Sequence, residues 1–166
     1  MNIIVRAELP FDYKKIKEIN DKAFNQEIEG KLVDKLREAN CDIISLVAVF
    51  DNQVVGHIMF SPVEINNEVV GMGLAPIAVI PEFQNKGIGS ELIKAGIEEV
   101  KKRNYSLIVV IGHAEYYSHF GFIPASKCGL KSEYDVPNEI FMALNFNETK
   151  WNNALVKYRP EFAVLA

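Results

Sequence analysis

The sequence predicts an α+β domain, a mixed and mostly antiparallel sheet with helices on both faces. Two runs with helical periodicity are followed by three strand-like runs in succession, the order of an antiparallel meander covered by helices. Further along, a third amphipathic helix leads into "SLIVVIG", an apolar run without alternation, as expected of a strand covered on both faces. With 166 residues, 49% hydrophobic and 24% charged, the chain suits one globular domain, residues 1–166. That length lets it bury roughly 70% of the surface its unfolded form exposes.

The elements follow in order. "NIIVRA" reads as a strand, and Pro10 turns the chain into "FDYKKIKEINDKAF", where Phe11, Ile16, Ile19 and Ala23 recur at helical spacing. "EGKLVDKLREAN" repeats the pattern with Leu32, Val33, Leu36 and Ala39, and Asn40 supplies a stop. "IISLVAVF" and "VVGHIMFSPVEI" flank Asp51, Asn52 and Gln53, and Asn66-Asn67 separates the latter from "EVVGMGLAPIAVI". In the third helix Ile88, Leu92, Ile93, Ile97 and Val100 form one face, with Lys101, Lys102 and Arg103 in the last turn, where the dipole favours cations. After "SLIVVIG", a brief helix "AEYYSHF" ends at Gly121, which can adopt a left-handed cap, and "EIFMALNF" is the last clear strand. Residues 148–166 form a tail whose Trp151, Leu155, Val156, Tyr158 and Phe162 argue for packing against the domain.

Charge and cysteine usage narrow the function classes. Eighteen Lys and Arg against 22 Asp and Glu give a net charge of −4, so no whole-molecule field draws in nucleic acid or an anionic membrane. Neither kind of partner is expected. The N-terminus lacks the pattern of a signal peptide and no apolar run reaches the length of a membrane span, so a cytoplasmic protein is expected. Cys41 and Cys128 show neither a disulfide framework nor zinc-ligand spacing; they read as reduced, buried thiols, and no metal is expected.

The loop "PEFQNKGIGSEL", residues 81–92, joins a strand to a helix through Gly87 and Gly89. A dinucleotide fingerprint needs a third glycine where Leu92 stands, and no glycine fits the register of a nucleotide-triphosphate loop. What remains is a glycine turn opening a helix whose first N–H groups are unpaired, a nest for a phosphate. A side chain at Gly87 or Gly89 would block the anion or forbid a positive φ. A strand-to-helix turn that merely needs glycine is the plainer alternative.

The stretch "LAPIAVIPEFQNKGIGSELI" resembles the acetyl-CoA signature of the GNAT superfamily of N-acetyltransferases, a strand ending in V-x-P-x-x-[QR]-x-x-G-x-[GA] before a helix. "HAEYYSHFGFIPA" is similar to that family's second cofactor segment, a Tyr four residues before a Gly-Phe pair, met here by Tyr117 and Gly121-Phe122. The order of elements follows the family from residue 1 to about 147. The resemblance implies a GNAT fold with a V-shaped splay between the fourth and fifth strands, here residues 74–80 and 106–111. It implies that acetyl-CoA lies there, with Ile77 and Val79 giving backbone contacts to pantetheine and an N–H near Ala78 polarising the thioester carbonyl. The pyrophosphate is expected on the amides of Gln84, Asn85, Lys86, Gly87, Ile88, Gly89 and Ser90. Pro76, which cannot donate a hydrogen bond, suits a distorted strand at the splay.

The reaction implied is N-acetyl transfer to the primary amine of a small molecule or peptide, by direct attack in a ternary complex. The family spacing selects Tyr117 over Tyr116 to hydrogen-bond the leaving sulfur; each could instead be a buried aromatic. Many relatives carry a Glu in the strand before the glycine loop, whereas no acid follows Glu68 here. The general base therefore stays open among Glu27, Glu29, His57, His113 and water, with structural roles as the alternative for each. His119 reads as surface, and Cys128 lacks a partner that would make it a nucleophile. The missing base leaves a second reading, a non-catalytic acyl-CoA-binding or regulatory module, and a third is a purely structural interaction domain. Dimerisation is common in the family, and the sequence leaves a homodimer and the identity of the acceptor open.

Overall fold

The computed structural model describes residues 1–165. Strands β1 (Ile4–Ala7), β2 (Ile44–Phe50), β3 (Gln53–Ile65) and β4 (Glu68–Val79) pair antiparallel in chain order. β5 (Leu107–Ile111) lies parallel to β4, and β8 (Phe141–Asn145) runs antiparallel to β5 with β6 (Ile123–Pro124) outside it. Both meander turns are two residues long. Asp51 and Asn52 have φ of 51° and 62°, and Asn66 and Asn67 have 54° and 66°, the paired positive values of a hairpin turn whose twist matches its strands.

Helices α1 (Tyr13–Phe24) and α2 (Ile28–Glu38) cover one face of the sheet, and α3 (Ile88–Lys102) with the short α4 (Ala114–Ser118) covers the other. The periodic residues of α2 and α3 face inward as their spacing requires: Leu32, Val33, Leu36, Ile88, Leu92, Ile93, Ile97 and Val100 are all buried. Phe11 is the exception to the first helical pattern. It sits in a 3₁₀ turn at Pro10–Asp12, 76% exposed with the Arg6 guanidinium 5.7 Å from its ring, and α1 buries Ile16 and Ile19 instead.

The tail joins the sheet. β9 (Ala154–Lys157) pairs with β3 at Glu64 and Ile65 and runs parallel to β7 (Leu130–Ser132). Trp151 N–H donates to Cys128 O and Ala154 N–H to Gly129 O, and Val156, Tyr158 and Phe162 are buried. Gly129 has φ 79°, and a Cβ there would overlap the Trp151 carbonyl, so glycine is what allows the tail to cross at this point.

Candidate functional site

The site begins where two parallel strands part. β4 and β5 pair only at Gly71/Leu107, Met72/Ile108 and Gly73/Val109, after which β4 continues to Val79 and β5 to Ile111 without pairing. On its other side β4 stays bound to β3, but with a shift: Phe60 faces Leu74 and Ile58 faces Ile77. β4 thus carries one extra residue at Ala75–Pro76, a bulge that bends it away from β5, and proline fits there because it has no N–H to leave unpaired.

Strand alternation fixes which main-chain groups face the gap. Ile80 N–H donates to Val55 O at 3.0 Å, so by alternation Ala78 also turns its N–H and C=O toward β3, while Ile77 and Val79 turn theirs into the gap. The N–H groups flanking Ala78, rather than its own, are therefore available to a ligand. The Val79 carbonyl already accepts from Gln84 Nε2 at 2.9 Å, which holds the next loop against the strand end.

That loop builds a cradle. Asn85 has φ 61° and Gly87 φ 84°, so left-handed residues interrupt the chain and turn successive amides toward one point. Ile88, Gly89 and Ser90 open α3, and as its first residues their N–H groups have no intrahelical acceptor. A Cβ at Gly87 would meet nothing within 4 Å, so that glycine borders open space, whereas one at Gly89 would crowd the Tyr116 hydroxyl at 3.3 Å. The resulting cavity, of about 370 Å³, is lined by Ile77, Ala78 and Val79 from the strand and by Gln84, Asn85, Gly87, Ile88, Gly89 and Ser90 from the loop. Lys86 is exposed in the loop and is not part of this lining. The structure adds Phe83, whose ring packs 5.5 Å from that of Phe50, and Tyr116.

The two tyrosines of α4 divide. Tyr116, 39% exposed, reaches across the cradle with its hydroxyl 3.4 Å from Ser90 Oγ. Tyr117, 7% exposed, lies behind it against Phe122 and alongside Gly112 at the end of β5, and its hydroxyl makes no hydrogen bond among the described residues. Burial, and secondarily Tyr116, push the Tyr117 phenol up to about 12. The sequence offered no signal for Tyr116 beyond its adjacency, because one residue of helix decides which ring meets the loop.

The candidate bases are scattered. Glu27 is exposed and Glu29 half-buried near the start of α2, paired with Lys17 and Gln26 respectively. His113 caps α4 and is exposed. His57 is fully buried between α1 and β2 with both nitrogens occupied: Asn20 Nδ2 donates to Nδ1 at 3.2 Å, and Nε2–H donates to Ser45 Oγ at 2.9 Å. The Ser45 hydroxyl donates in turn to Glu8 at 2.6 Å, and Arg37 grips Glu8 through two hydrogen bonds. Burial, reinforced by the Arg37 charge, lowers the His57 pKa to about 3. Fully buried and hydrogen-bonded at both nitrogens, this imidazole is a neutral strut.

A model of the acetyltransferase (GNAT) family matches residues 13–122. The chain is 30% identical over 164 residues to YhbS of Escherichia coli strain K12, an uncharacterized N-acetyltransferase, covering 96% of this chain and 98% of that protein. It is 37% identical over 134 residues to YjhQ of the same strain, also an uncharacterized N-acetyltransferase, covering 77% and 74%. Among solved structures, E. coli YhbS in complex with CoA superposes with a TM-score of 0.90 at 29% identity, covering 98% of this chain and 93% of that one. A Brucella melitensis GNAT acetyltransferase in complex with acetyl-CoA gives 0.83 at 33% identity, covering 97% and 98%. Two parting strands, a glycine cradle at a helix start and these relatives agree: the chain is an acyltransferase belonging to the GNAT family.

Proposed function

We propose that the protein binds acetyl-CoA along the gap between β4 and β5 and passes the acetyl group to a primary amine by direct attack in a ternary complex. The observation that carries this is the continuity of the gap with the cradle: main-chain groups of Ile77 and Val79 lead directly to the amides of Gly87 through Ser90. The former suit the amides of a pantetheine arm and the latter a diphosphate. The two free thiols, Cys41 and Cys128, suit a reducing, cytoplasmic setting, and residues 1–166 would act as one catalytic domain.

The amine must attack as the free base. A lysine-like amine near pKa 10.4 costs about 4.6 kcal/mol to deprotonate at pH 7, against about 1 kcal/mol for an α-amine near 7.8. The attacking nitrogen adds to the thioester carbon, whose oxygen gathers negative charge opposite an N–H of Ile77 or Val79. As the carbon–sulfur bond breaks, the sulfur needs a donor. With its phenol near 12, Tyr117 would give up a proton to a thiolate near 8.5 only at a cost of about 5 kcal/mol. Tyr117 is therefore assigned the role of hydrogen-bond donor to the sulfur, with the amine's own proton completing the thiol.

A second reading, a non-catalytic acyl-CoA-binding module, rests on one observation: among the described residues lining the cradle cavity there is no Asp, Glu or His. Tyr117→Phe separates the two. An enzyme should lose ten- to a hundredfold in kcat with KM for acetyl-CoA within about twofold. Wild type that binds CoA but releases no thiol from acetyl-CoA with any amine would establish the second reading.

A further inference from the structure

Resting on the acetyl-transfer reading, we propose that a second cavity, walled by the C-terminal tail, seats the acceptor and selects primary amines with an aromatic-sized apolar body and no carboxylate. This cavity, of about 600 Å³, opens on the same gap from the opposite face of the sheet. Its floor is Leu74 and Ala75, just past the last β4–β5 pair, with Ile111 at the end of β5. The cradle cavity begins at Ile77. Two residues of strand span about 7 Å, so an amine held in one cavity lies within reach of a thioester carried in the other, across the bulge.

The walls set the chemistry. Tyr134, Tyr158 and Phe162 form a continuous aromatic surface, with ring centroids 5.8 Å and 5.3 Å apart along the row. Tyr158 is buried over Gly73, where a Cβ would come within 2.7 Å of its ring, so the innermost ring is fixed at the point where the strands part. Both phenols are uncharged at neutral pH, and burial raises their pKa further. Among the described lining residues the one charged side chain is Asp135, and none is Lys, Arg or His. A carboxylate beside aromatic faces attracts an ammonium. A free amino acid would bring its own carboxylate against Asp135 with no cation to receive it.

Phenethylamine is the probe and phenylalanine its control, each titrated by calorimetry into the full chain saturated with CoA. Phenethylamine should bind at least tenfold tighter than phenylalanine, and Asp135→Asn, at an exposed position, should weaken it about tenfold. Phe162→Leu keeps a buried apolar side chain but removes the ring and should also weaken it, with CoA affinity reporting an intact fold. Binding of phenylalanine as tight as that of phenethylamine, absence of phenethylamine binding, or undiminished binding by both variants would overturn the proposal. Absent phenethylamine binding alongside acetyl transfer to another amine would leave the acetyl-transfer reading standing. Phenethylamine binding with no thiol released from acetyl-CoA by it or by any other amine would sink that reading instead.

Discussion

His57 shows how a side chain that reads as a candidate base can be the opposite. Its imidazole closes a chain of hydrogen bonds from Asn20 through Ser45 to the Glu8–Arg37 pair, and the guanidinium of Arg37 also stacks 3.8 Å over Tyr13. The folded pKa near 3 lies below the ordinary 6.5, so below pH 6.5 the unfolded chain takes up a proton that the folded chain refuses. Stability should therefore fall as pH drops through that window, by about 2 kcal/mol between pH 8 and pH 5. Urea titrations at the two pH values measure this; His57→Gln, less stable at pH 8, should lose most of the pH dependence. Tyr116 is the other residue-scale finding. Its hydroxyl borders Ser90 and Gly89, so Tyr116→Ala should raise KM for acetyl-CoA three- to tenfold while Tyr117→Phe acts on kcat, a contrast that steady-state kinetics would expose.

At the scale of elements, the helices and the meander were legible because they obey local rules. The apolar positions of α2 and α3 repeat at helical spacing, and the Asp-Asn and Asn-Asn pairs tolerate positive φ. The cradle was legible because its glycines stand at fixed spacing. β6, β7 and β9 were not, since strands of two to four residues carry too few alternations to register, and the partner of β9 lies some ninety residues earlier in β3. The second cavity was invisible because its wall is assembled from Tyr134, Tyr158 and Phe162 on separate segments, and the tail's aromatics signalled packing without signalling what they pack around. Gly129→Ala should test how the tail is held. It forces a side chain into positive φ and against the Trp151 carbonyl, so a loss of at least about 2 kcal/mol is expected in chemical unfolding. Gly87→Val, which strains φ 84° at the start of α3, should raise the acetyl-CoA dissociation constant at least tenfold by calorimetry.

For the molecule as a whole, ligand binding and folding are linked, because the gap and cradle exist only when β4, β5 and α3 are assembled. CoA at a hundred times its dissociation constant should add about 2.7 kcal/mol, a rise of roughly 5 to 10 °C in Tm for a chain of this length. No rise under those conditions would argue against any acyl-CoA role, catalytic or not. The net charge of −4 does not oppose the proposed binding, since no acidic side chain lines the cradle among the described residues.

The bulge at Ala75–Pro76 has one more consequence. Leu74 and Ile77, three positions apart, both face the α3 layer, while Ala75 and Ala78 face the other, so the odd–even parity of β4 flips at that point. A chimera joined to a relative inside residues 74–80 would turn Ile77 and Val79 inside out unless the donor sequence carried the same extra residue. This stretch therefore behaves as an indivisible cassette, and recombination that trades acceptor preference between relatives has to place its crossovers outside it.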